Sequence, residues 1–305
     1  MATRDSISPT TPLWSIVIGV YNDWVPLNAC LRSLTQQANA PNFEVIVVDD
    51  GSSEPTPDYI QQWVQSYPLT IVRQPHAGIS VARNRGVQES KGSALLFVDA
   101  DCRFEKDCLV ALDSAINNSP QHDFFQLHLV GDCSQFVGRA EQLRLETFQN
   151  HMLQPNGCIR YLNTAGFALR RTRVDFDQGV FDPIAIRAED TFLLANLMQS
   201  GELPLFVPSA VVQHSIPLSL LACLRKDLRS AYLEARVFDI IASKGVKIRV
   251  SHRQRFSMLW SMWKTSAQSA IGRSAWFVLV TRQGLRQVVF LLYRCFGVRS
   301  KFADR

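Results

Sequence analysis

Two aspartates end an apolar run in the stretch Ala94-Leu95-Leu96-Phe97-Val98-Asp99-Ala100-Asp101. A short apolar run bounded by charge is typical of a buried central strand, and open α/β sheets bind ligands at the carboxyl ends of such strands. Two carboxylates at that position fit a hard divalent cation such as Mg²⁺ or Mn²⁺, shared with substrate phosphates. Aspartate also ends strands and starts turns without binding a ligand, so the stretch alone leaves both interpretations open.

Three further apolar runs precede this one, and helical periodicity follows them. The predicted strands cover residues 14–21, 43–48, 69–73 and 94–98, and the predicted helices cover about 26–37 and 58–66, with a third beginning at Gly78. Strands that alternate with helices at this spacing form right-handed crossovers and a parallel sheet covered on both faces. We therefore predict an α/β fold with a mainly parallel, doubly wound sheet of the nucleotide-binding type.

The loops after the first, second and fourth strands are expected to meet at one edge of that sheet. This brings together Tyr21, Asp50, Asp99 and Asp101. The first loop lacks the Gly-x-Gly-x-x-Gly fingerprint of dinucleotide-binding enzymes, and the chain has no Gly-x-x-x-x-Gly-Lys phosphate loop. A nucleotide bound at this edge would therefore have its phosphates neutralised by a metal ion.

Further along the chain, Glu189 and Asp190 open a predicted helix with an apolar face. Acidic residues are common in a first helical turn because they interact favourably with the helix dipole, so this position alone does not establish a catalytic role. The last predicted strand ends in His214, which is either a structural histidine or an additional metal ligand. The small residues around Gly166 lie in a β-like run and suggest a backbone that a ligand approaches closely.

Five separate motifs resemble those of the family 2 glycosyltransferases, inverting enzymes with the nucleotide-sugar-binding GT-A fold. The motifs are Ser15-Ile16-Val17-Ile18-Gly19-Val20-Tyr21-Asn22, Val47-Val48-Asp49-Asp50-Gly51-Ser52, the segment 78–86 with Ala82-Arg83-Asn84, Phe97-Val98-Asp99-Ala100-Asp101, and Glu189-Asp190. The resemblance covers about residues 13–215, and the shared order and spacing of the motifs make it specific.

The resemblance implies that five residues bind the nucleotide-sugar donor: Val20, Tyr21, Asp50, Arg83 and Asp99. The ring of Tyr21 would pack on the base, and Asp50 would hydrogen-bond to it. Arg83 would lie near the nucleotide or the diphosphate, and Asp99 near the ribose or the donor sugar.

The same resemblance implies a metal ion, Mn²⁺ or Mg²⁺, that bridges the two phosphates and is bound by Asp101. His214 and Asp99 are further candidate ligands. Asp190 would be the catalytic base, with Glu189 beside it shaping the acceptor site. The chemistry is consistent with these residue types, because a metal stabilises the departing diphosphate and inversion needs one carboxylate to take the acceptor's proton.

The expected reaction transfers a single sugar from a nucleoside-diphosphate sugar to a hydroxyl acceptor, which is a glycan, a lipid-linked compound or a small molecule. Processive members of the family carry a Gln-x-x-Arg-Trp motif beside membrane spans, whereas this chain has Gln254-Arg255-Phe256 and no apolar run of ~18 residues. The alternative is a catalytically inactive module of the same fold that binds a nucleotide sugar or a glycan. The presence of Asp99, Asp101 and Asp190 together favours the enzyme.

Charge divides the chain into two parts. Residues 1–220 contain 15 basic and 23 acidic residues, a net charge of −8, whereas residues 221–305 contain 17 and 4, a net charge of +13. We predict a flexible N-terminus at 1–12, a GT-A glycosyltransferase domain at 13–215 and a basic, amphipathic helical extension at 216–305. The extension either contacts an anionic membrane surface or packs on the catalytic domain, and nucleic acid is not an expected partner.

Scattered cysteines and a polar N-terminus indicate the compartment. The seven cysteines form no Cys-x-x-Cys pair, which argues against both a disulfide framework and a structural zinc site. The first twelve residues contain no apolar signal segment. We therefore expect a cytoplasmic protein, either free or peripheral on the inner face of the membrane.

Overall fold

The computed structural model describes residues 13–131, 133–183, 188–214, 219–243, 245, 252–268 and 272–296. The predicted flexible N-terminus, residues 1–12, lies outside the described residues. The predicted boundary between the two domains, at residues 215 and 216, also lies outside them and stays a prediction.

The described residues contain eight strands, which form one sheet. Their bounds are β1 Trp14–Val20, β2 Phe43–Asp49, β3 Leu69–Arg73, β4 Ala94–Asp99, β5 Cys102–Phe104, β6 Phe124–Gly131, β7 Phe167–Arg170 and β8 Leu205–His214. The order across the sheet is β3-β2-β1-β4-β7-β6-β8-β5. The first four strands in this order run parallel, while β7 is antiparallel to both neighbours and β5 is antiparallel to β8. The predicted α/β sheet is thus confirmed, with a parallel half and a mixed half.

Helices cover the sheet and continue beyond it. Their bounds are α1 Trp24–Leu34, α2 Asp58–Gln61, α3 Ile79–Glu89, α4 Cys108–Asn117, α5 Phe136–Met152, α6 Glu189–Gln199, α7 Leu220–Ser243, α8 His252–Gln268 and α9 Gly272–Phe296. The single helix predicted over 58–66 is α2 followed by a 3₁₀ turn at Gln62–Gln65. This difference is expected for a short helix, whose last turn readily tightens into 3₁₀ geometry.

Both faces of β1, β2 and β4 are largely buried, which explains why these strands are mostly apolar. On one face Ile16 and Ile18 pack with Leu27 of α1, and on the other Val17 packs with residues of α6 such as Leu194. Helix α3 lies very close to β1, because a Cβ on Gly86 would come within 2.3 Å of Val17 Cγ1. This close packing fixes α3 and therefore the side chains that it directs toward the sheet edge.

The register of the parallel strands brings their polar ends to one level. Gly19 of β1 pairs with Val48 of β2 on one side and with Asp99 of β4 on the other. The residues that follow these strands, Tyr21 and Asp50 among them, therefore project from the same edge, as the sequence predicts.

The C-terminal helices pack against α5. Met262 of α8 and Leu279 of α9 are buried with Leu143 of α5 in one apolar cluster. Arg282 of α9 forms ion pairs with Glu141 of α5 and with Asp227 of α7. Of the two roles expected for the extension, packing on the preceding domain is therefore observed. None of the described helices is long and apolar enough to cross a membrane.

Candidate active site

A cleft of about 490 Å³ opens where β1, β2 and β4 end against the first turns of α3 and α6. Most of the predicted site residues line it, namely Val20, Tyr21, Asp50, Arg83, Asp99, Asp101 and Glu189. The other two predicted residues lie beside the lining: Asp190 follows Glu189 in the chain, and His214 contacts Asp101. The structure thus brings together residues that lie up to 194 positions apart, from Val20 to His214.

The ring of Tyr21 forms one wall of the cleft. It is 47% exposed and stacks on the imidazole of His76, with 4.3 Å between ring centroids and 28° between planes. Two exposed aromatic rings at the mouth of a cleft offer a surface on which a nucleotide base can stack. Sequence reasoning missed His76, because a single histidine in a polar loop shows no periodicity and no motif.

Asp50 organises the loop that precedes α3. Its Oδ1 accepts hydrogen bonds from Gln74 Nε2 and the Ala77 N–H, and its Oδ2 accepts one from the Gly78 N–H at 2.9 Å. The carboxylate is 4% exposed, so these bonds replace the water that it loses on burial. Gly78 adopts a φ of +97°, which favours glycine. Asp50 therefore fixes the loop that forms this side of the cleft.

The turn after β2 explains the local sequence Asp49-Asp50-Gly51-Ser52. The carboxylate of Asp49 accepts a hydrogen bond from the Ser52 N–H at 2.8 Å, and Ser52 Oγ accepts one from the Asn22 N–H at 2.9 Å. Gly51 has a φ of +77°, and a Cβ there would lie 2.7 Å from the backbone nitrogen of His76. The turn thus joins the loops that follow β1 and β2 into one rigid wall.

Arg83 is the buried cation of the site. Its guanidinium donates to Asp99 Oδ1 at 2.5 Å through Nη2 and to Glu189 Oε1 at 2.7 Å through Nη1. Burial alone would lower the pKa of Arg83, but the charges and hydrogen bonds of these two carboxylates raise it. The guanidinium also lies 5.5 Å from the ring centroid of Phe181, which packs over it. Arg83 thus links the end of β4 to the start of α6.

The next residue, Asn84, holds the segment that leads toward α6. Its Oδ1 accepts hydrogen bonds from the N–H groups of Val180 and Phe181, both at 3.0 Å, and its Nδ2 donates to the Phe181 carbonyl at 2.7 Å. Gly179 has a φ of +78°, and a Cβ there would meet the Asn84 amide at 2.6 Å. We assigned no role to Asn84 from the sequence, although it lies in the Ala82-Arg83-Asn84 motif.

Glu189 and Asp190 occupy the first turn of α6, behind Ala188, which has a φ of +73°. Thr164 Oγ1 donates to Glu189 at 3.1 Å, and Thr191 donates to Asp190 Oδ1 through its N–H at 2.6 Å and its hydroxyl at 3.1 Å. Burial and the adjacent charge of Glu189 raise the pKa of Asp190 to about 7. A carboxylate with a pKa near neutrality is suited to accept a proton in catalysis.

Asp101 and His214 meet at the end of the sheet that β5 and β8 form. Cys102 pairs with His214 across these strands, and His214 Nε2 lies 3.2 Å from Asp101 Oδ1. A ligand atom from each of Asp101, Cys102 and His214 lies within 4.8 Å of the others. Burial raises the pKa of the Cys102 thiol well above its usual value, so the thiol remains protonated. The carboxylate oxygen suits Mn²⁺ or Mg²⁺, and the imidazole nitrogen suits transition-metal ions.

Core packing accounts for the glycine at position 166, which lies in the run whose small residues suggested close approach of a ligand. A Cβ on this residue would lie 2.8 Å from Leu129 Cδ2 and 3.2 Å from Leu127 Cβ, both on strand β6. The small side chain is therefore required by packing of the core. The neighbouring Thr164 does reach the site, through its hydrogen bond to Glu189.

The chain is similar in sequence to a known protein family and to several known proteins. Residues 15–175 match the family described as Glycosyl transferase family 2. The glycosyltransferase AglE of Haloferax volcanii is 33% identical over 202 residues, which are 64% of this chain and 64% of that protein. The dolichol-phosphate mannosyltransferase of Pyrococcus furiosus is 30% identical over 105 residues, 34% of this chain and 30% of that protein. The chain thus spans less than two thirds of the length of these relatives.

Solved structures show the same fold at low sequence identity. The mannosyltransferase PcManGT of Pyrobaculum calidifontis, in complex with GDP-Man and Mn²⁺, aligns with a TM-score of 0.60 and 15% identity over 95% of this chain and 89% of that one. TarS of S. aureus, residues 1–349, aligns with a TM-score of 0.54 and 18% identity over 92% and 91%. This likeness covers more of the chain than the matched segment 15–175.

Proposed function

Because the chain belongs to glycosyl transferase family 2, we propose that it transfers a single sugar from a nucleoside-diphosphate sugar to a hydroxyl acceptor, with inversion at the anomeric carbon. The observation that carries this proposal is the arrangement around Arg83. That residue ties Asp99, at the donor side of the cleft, to Glu189, which precedes the candidate base Asp190. Donor and acceptor groups thereby share one rigid frame, which is what a direct displacement between two bound substrates requires.

The donor's nucleotide is assigned to the wall made by Val20, Tyr21 and Asp50. The base stacks on the exposed ring of Tyr21, while the loop that Asp50 orders supplies backbone groups at the edge of the base. Solved structures of the same fold support a nucleotide-sugar donor, since PcManGT was determined with GDP-Man and TarS with UDP-GlcNAc. UDP-GlcNAc and GDP-mannose are therefore the first donors to test.

A divalent metal is assigned to Asp101 and His214. The carboxylate and the imidazole supply one oxygen and one nitrogen ligand, a set that suits Mn²⁺ and also accepts Mg²⁺. When bound, the metal would neutralise charge on the diphosphate. Asp99 is already engaged by Arg83, so we assign it to the ribose or the donor sugar in preference to the metal. The structure of PcManGT with Mn²⁺ supports a metal in this fold.

Asp190 is assigned as the general base. The acceptor oxygen forms a bond to the anomeric carbon as its proton passes to the carboxylate, and the bond between that carbon and the diphosphate oxygen breaks on the opposite face. Thr191 donates both its hydrogen bonds to Oδ1, so Oδ2 is the oxygen that we assign to receive the proton. Glu189 is held by Arg83 and Thr164 and therefore positions the start of α6 at the acceptor side.

The test compares donor binding with turnover in the Asp190→Asn variant. We expect calorimetry to show nearly unchanged, Mn²⁺-dependent binding of UDP-GlcNAc or GDP-mannose, because Asp190 does not line the cleft. Release of the nucleoside diphosphate should fall about 10²- to 10⁴-fold, as is typical for loss of a positioned base. The exposed Asp58, at the start of α2, provides the matched control Asp58→Asn, which should retain turnover.

Two results would contradict the proposal in different ways. Wild-type turnover in Asp190→Asn would remove the base assignment. Donor binding by the wild type without any turnover, across a panel of glycan, lipid-linked and small-molecule acceptors, would favour the catalytically inactive module.

A further inference from the structure

Two exposed apolar stripes run along the C-terminal helices. On α8, Phe256 and Trp260 lie one helical turn apart and are 72% and 54% exposed. On α9 the exposed apolar residues recur at helical spacing and are Phe277, Leu285, Val288, Leu291, Leu292 and Phe296. We call these two stripes together the apolar face. Single exposed apolar residues are normal on a protein surface. A series of them along each of two adjacent helices indicates that the helices contact an apolar partner or environment.

The apolar face is distinct from the side by which these helices pack on the protein. Met262, Ala275 and Leu279 fill the contact with α5, and Trp276 donates its indole N–H to the Leu259 carbonyl at 2.8 Å within the α8–α9 pair. The helices thus bury one side against the rest of the chain and present a second apolar side outward. Packing on the catalytic domain therefore does not account for Phe256, Trp260 and the exposed residues of α9.

Positive charge predominates in the sequence of this region. No acidic residue occurs between Asp239 and Asp304, whereas 12 lysines and arginines do. On α8, Arg253 and Lys264 lie at the two ends of the exposed stripe, and the Lys264 ammonium lies 5.5 Å from the centroid of the Trp260 ring. Basic side chains beside exposed tryptophan and phenylalanine are typical of helices that lie in the headgroup region of an anionic bilayer.

We propose that the apolar face binds the surface of a membrane that contains anionic lipids, with α8 and α9 lying in the plane of the interface. The aromatic and aliphatic side chains would enter the boundary between headgroups and acyl chains, and the basic residues would pair with lipid phosphates. A second copy of the chain fits this surface less well, because two faces with the same positive charge repel each other. The proposal does not depend on the glycosyltransferase activity, so its test is independent of turnover.

The experiment is co-sedimentation of the 305-residue chain with vesicles of phosphatidylcholine alone or mixed with phosphatidylglycerol. We expect binding to the anionic vesicles that falls when salt is raised, since screening weakens the charge contribution. The Phe256→Ser/Trp260→Ser variant should bind about tenfold more weakly or worse, because two large apolar side chains no longer enter the interface. Arg253→Gln/Lys264→Gln should reduce binding to anionic vesicles selectively.

The matched control is Val25→Ser/Val64→Ser, which changes two apolar residues of the catalytic domain with exposures of 75% and 55%. It should bind vesicles as the wild type does. Because all the substituted side chains are solvent-exposed, each variant should keep the melting temperature of the wild type.

Several results would overturn the proposal. Wild-type binding by Phe256→Ser/Trp260→Ser would do so, as would failure of the wild type to bind anionic vesicles or equal binding to neutral ones. A dimer in light scattering that this variant converts to a monomer, with no vesicle binding by the wild type, would assign the face to a second copy. Binding of single-stranded DNA without binding of vesicles would assign it to nucleic acid.

Discussion

Arg83 and Glu189 form an ion pair, with 2.7 Å between Nη1 and Oε1, that joins helix α3 to helix α6. The guanidinium is 2% exposed, so water does little to screen the pair. On its other side the same guanidinium meets Asp99, whose side chain is 34% exposed to the cleft. The pair therefore holds the start of α6 beside the end of β4, and its removal would leave two carboxylates facing each other without a cation.

We expect Arg83→Met to destabilise the protein strongly, because breaking a buried ion pair leaves its partner charge uncompensated. The free energy of unfolding should fall by about 3 kcal/mol in urea titrations, the lower end of the usual range because Asp99 remains partly solvated. The control is Arg85→Met on the same helix, whose exposed arginine pairs with Glu89 one turn on. This control should change stability by no more than about 0.5 kcal/mol. Equal effects of the two substitutions would show that the Arg83 bridge is not structurally important.

The sequence predicted the parallel half of the fold because the signals there are local. The apolar runs at 43–48 and 94–98 are β2 and β4 to within one residue. Tyr21 and Asp50 could be placed at one edge because parallel strands with short connections end together. The mixed half was harder to predict from the sequence. Strand β7 lies between β4 and β6 in the sheet, so it pairs with residues that are far apart in the chain.

The site was predicted as a set of residues but not as a set of contacts. The ion pairs of Arg83 and the stacking of His76 on Tyr21 join residues that only tertiary packing brings together. No periodic pattern in the sequence predicts such contacts. The hydrogen bond from Thr191 to Asp190 could have been predicted from the sequence, because a threonine directly after a carboxylate in the first turn of a helix can donate to it. The proposed roles of Asp101, His214 and Asp190 remain predictions that the following experiments address.

Asp101 and His214 should both be needed for metal binding. Titration of Mn²⁺, followed by electron paramagnetic resonance in the presence of UDP, should show affinity reduced about tenfold or more in Asp101→Asn and in His214→Ala, since loss of even a supporting contact commonly has that effect. The control is His151→Ala, which removes a histidine of α5 that does not line the cleft. Unchanged Mn²⁺ affinity in both site variants would place the metal elsewhere or exclude it.

The ionisation of Asp190 should make the folded protein less stable as pH rises. Its pKa is about 7 in the folded state against 3.8 ordinarily, so the native state binds more protons than the unfolded state between these values. Stability from this group is therefore complete below pH 3.8 and is lost as pH rises through about 7. Between pH 4 and pH 8, the free energy of unfolding of Asp190→Asn should rise by on the order of 1–2 kcal/mol relative to that of the wild type in urea titrations. This figure allows for the partial exposure of the Asp190 side chain.

The control for this effect is Asp58→Asn, which replaces an exposed acidic side chain and should change the free energy of unfolding by no more than about 0.5 kcal/mol at either pH. If the free energies of unfolding of Asp190→Asn and the wild type differ by the same amount at both pH values, the folded-state pKa of Asp190 is not raised.

Thr191 should set the pH at which the proposed base becomes active. Its hydroxyl donates to Asp190 Oδ1 at 3.1 Å and stabilises the ionised carboxylate, which lowers the pKa of Asp190 against the effects of burial and Glu189. Thr191→Val removes this bond but keeps the one from the backbone N–H, so the acidic limb of the kcat/KM profile should move to higher pH with little change at its plateau. Thr191→Ser retains the hydroxyl and should keep the wild-type profile. A merely structural role for Thr191 would instead lower turnover equally at every pH, and coincident profiles for Thr191→Val and the wild type would show that the hydroxyl does not tune the base.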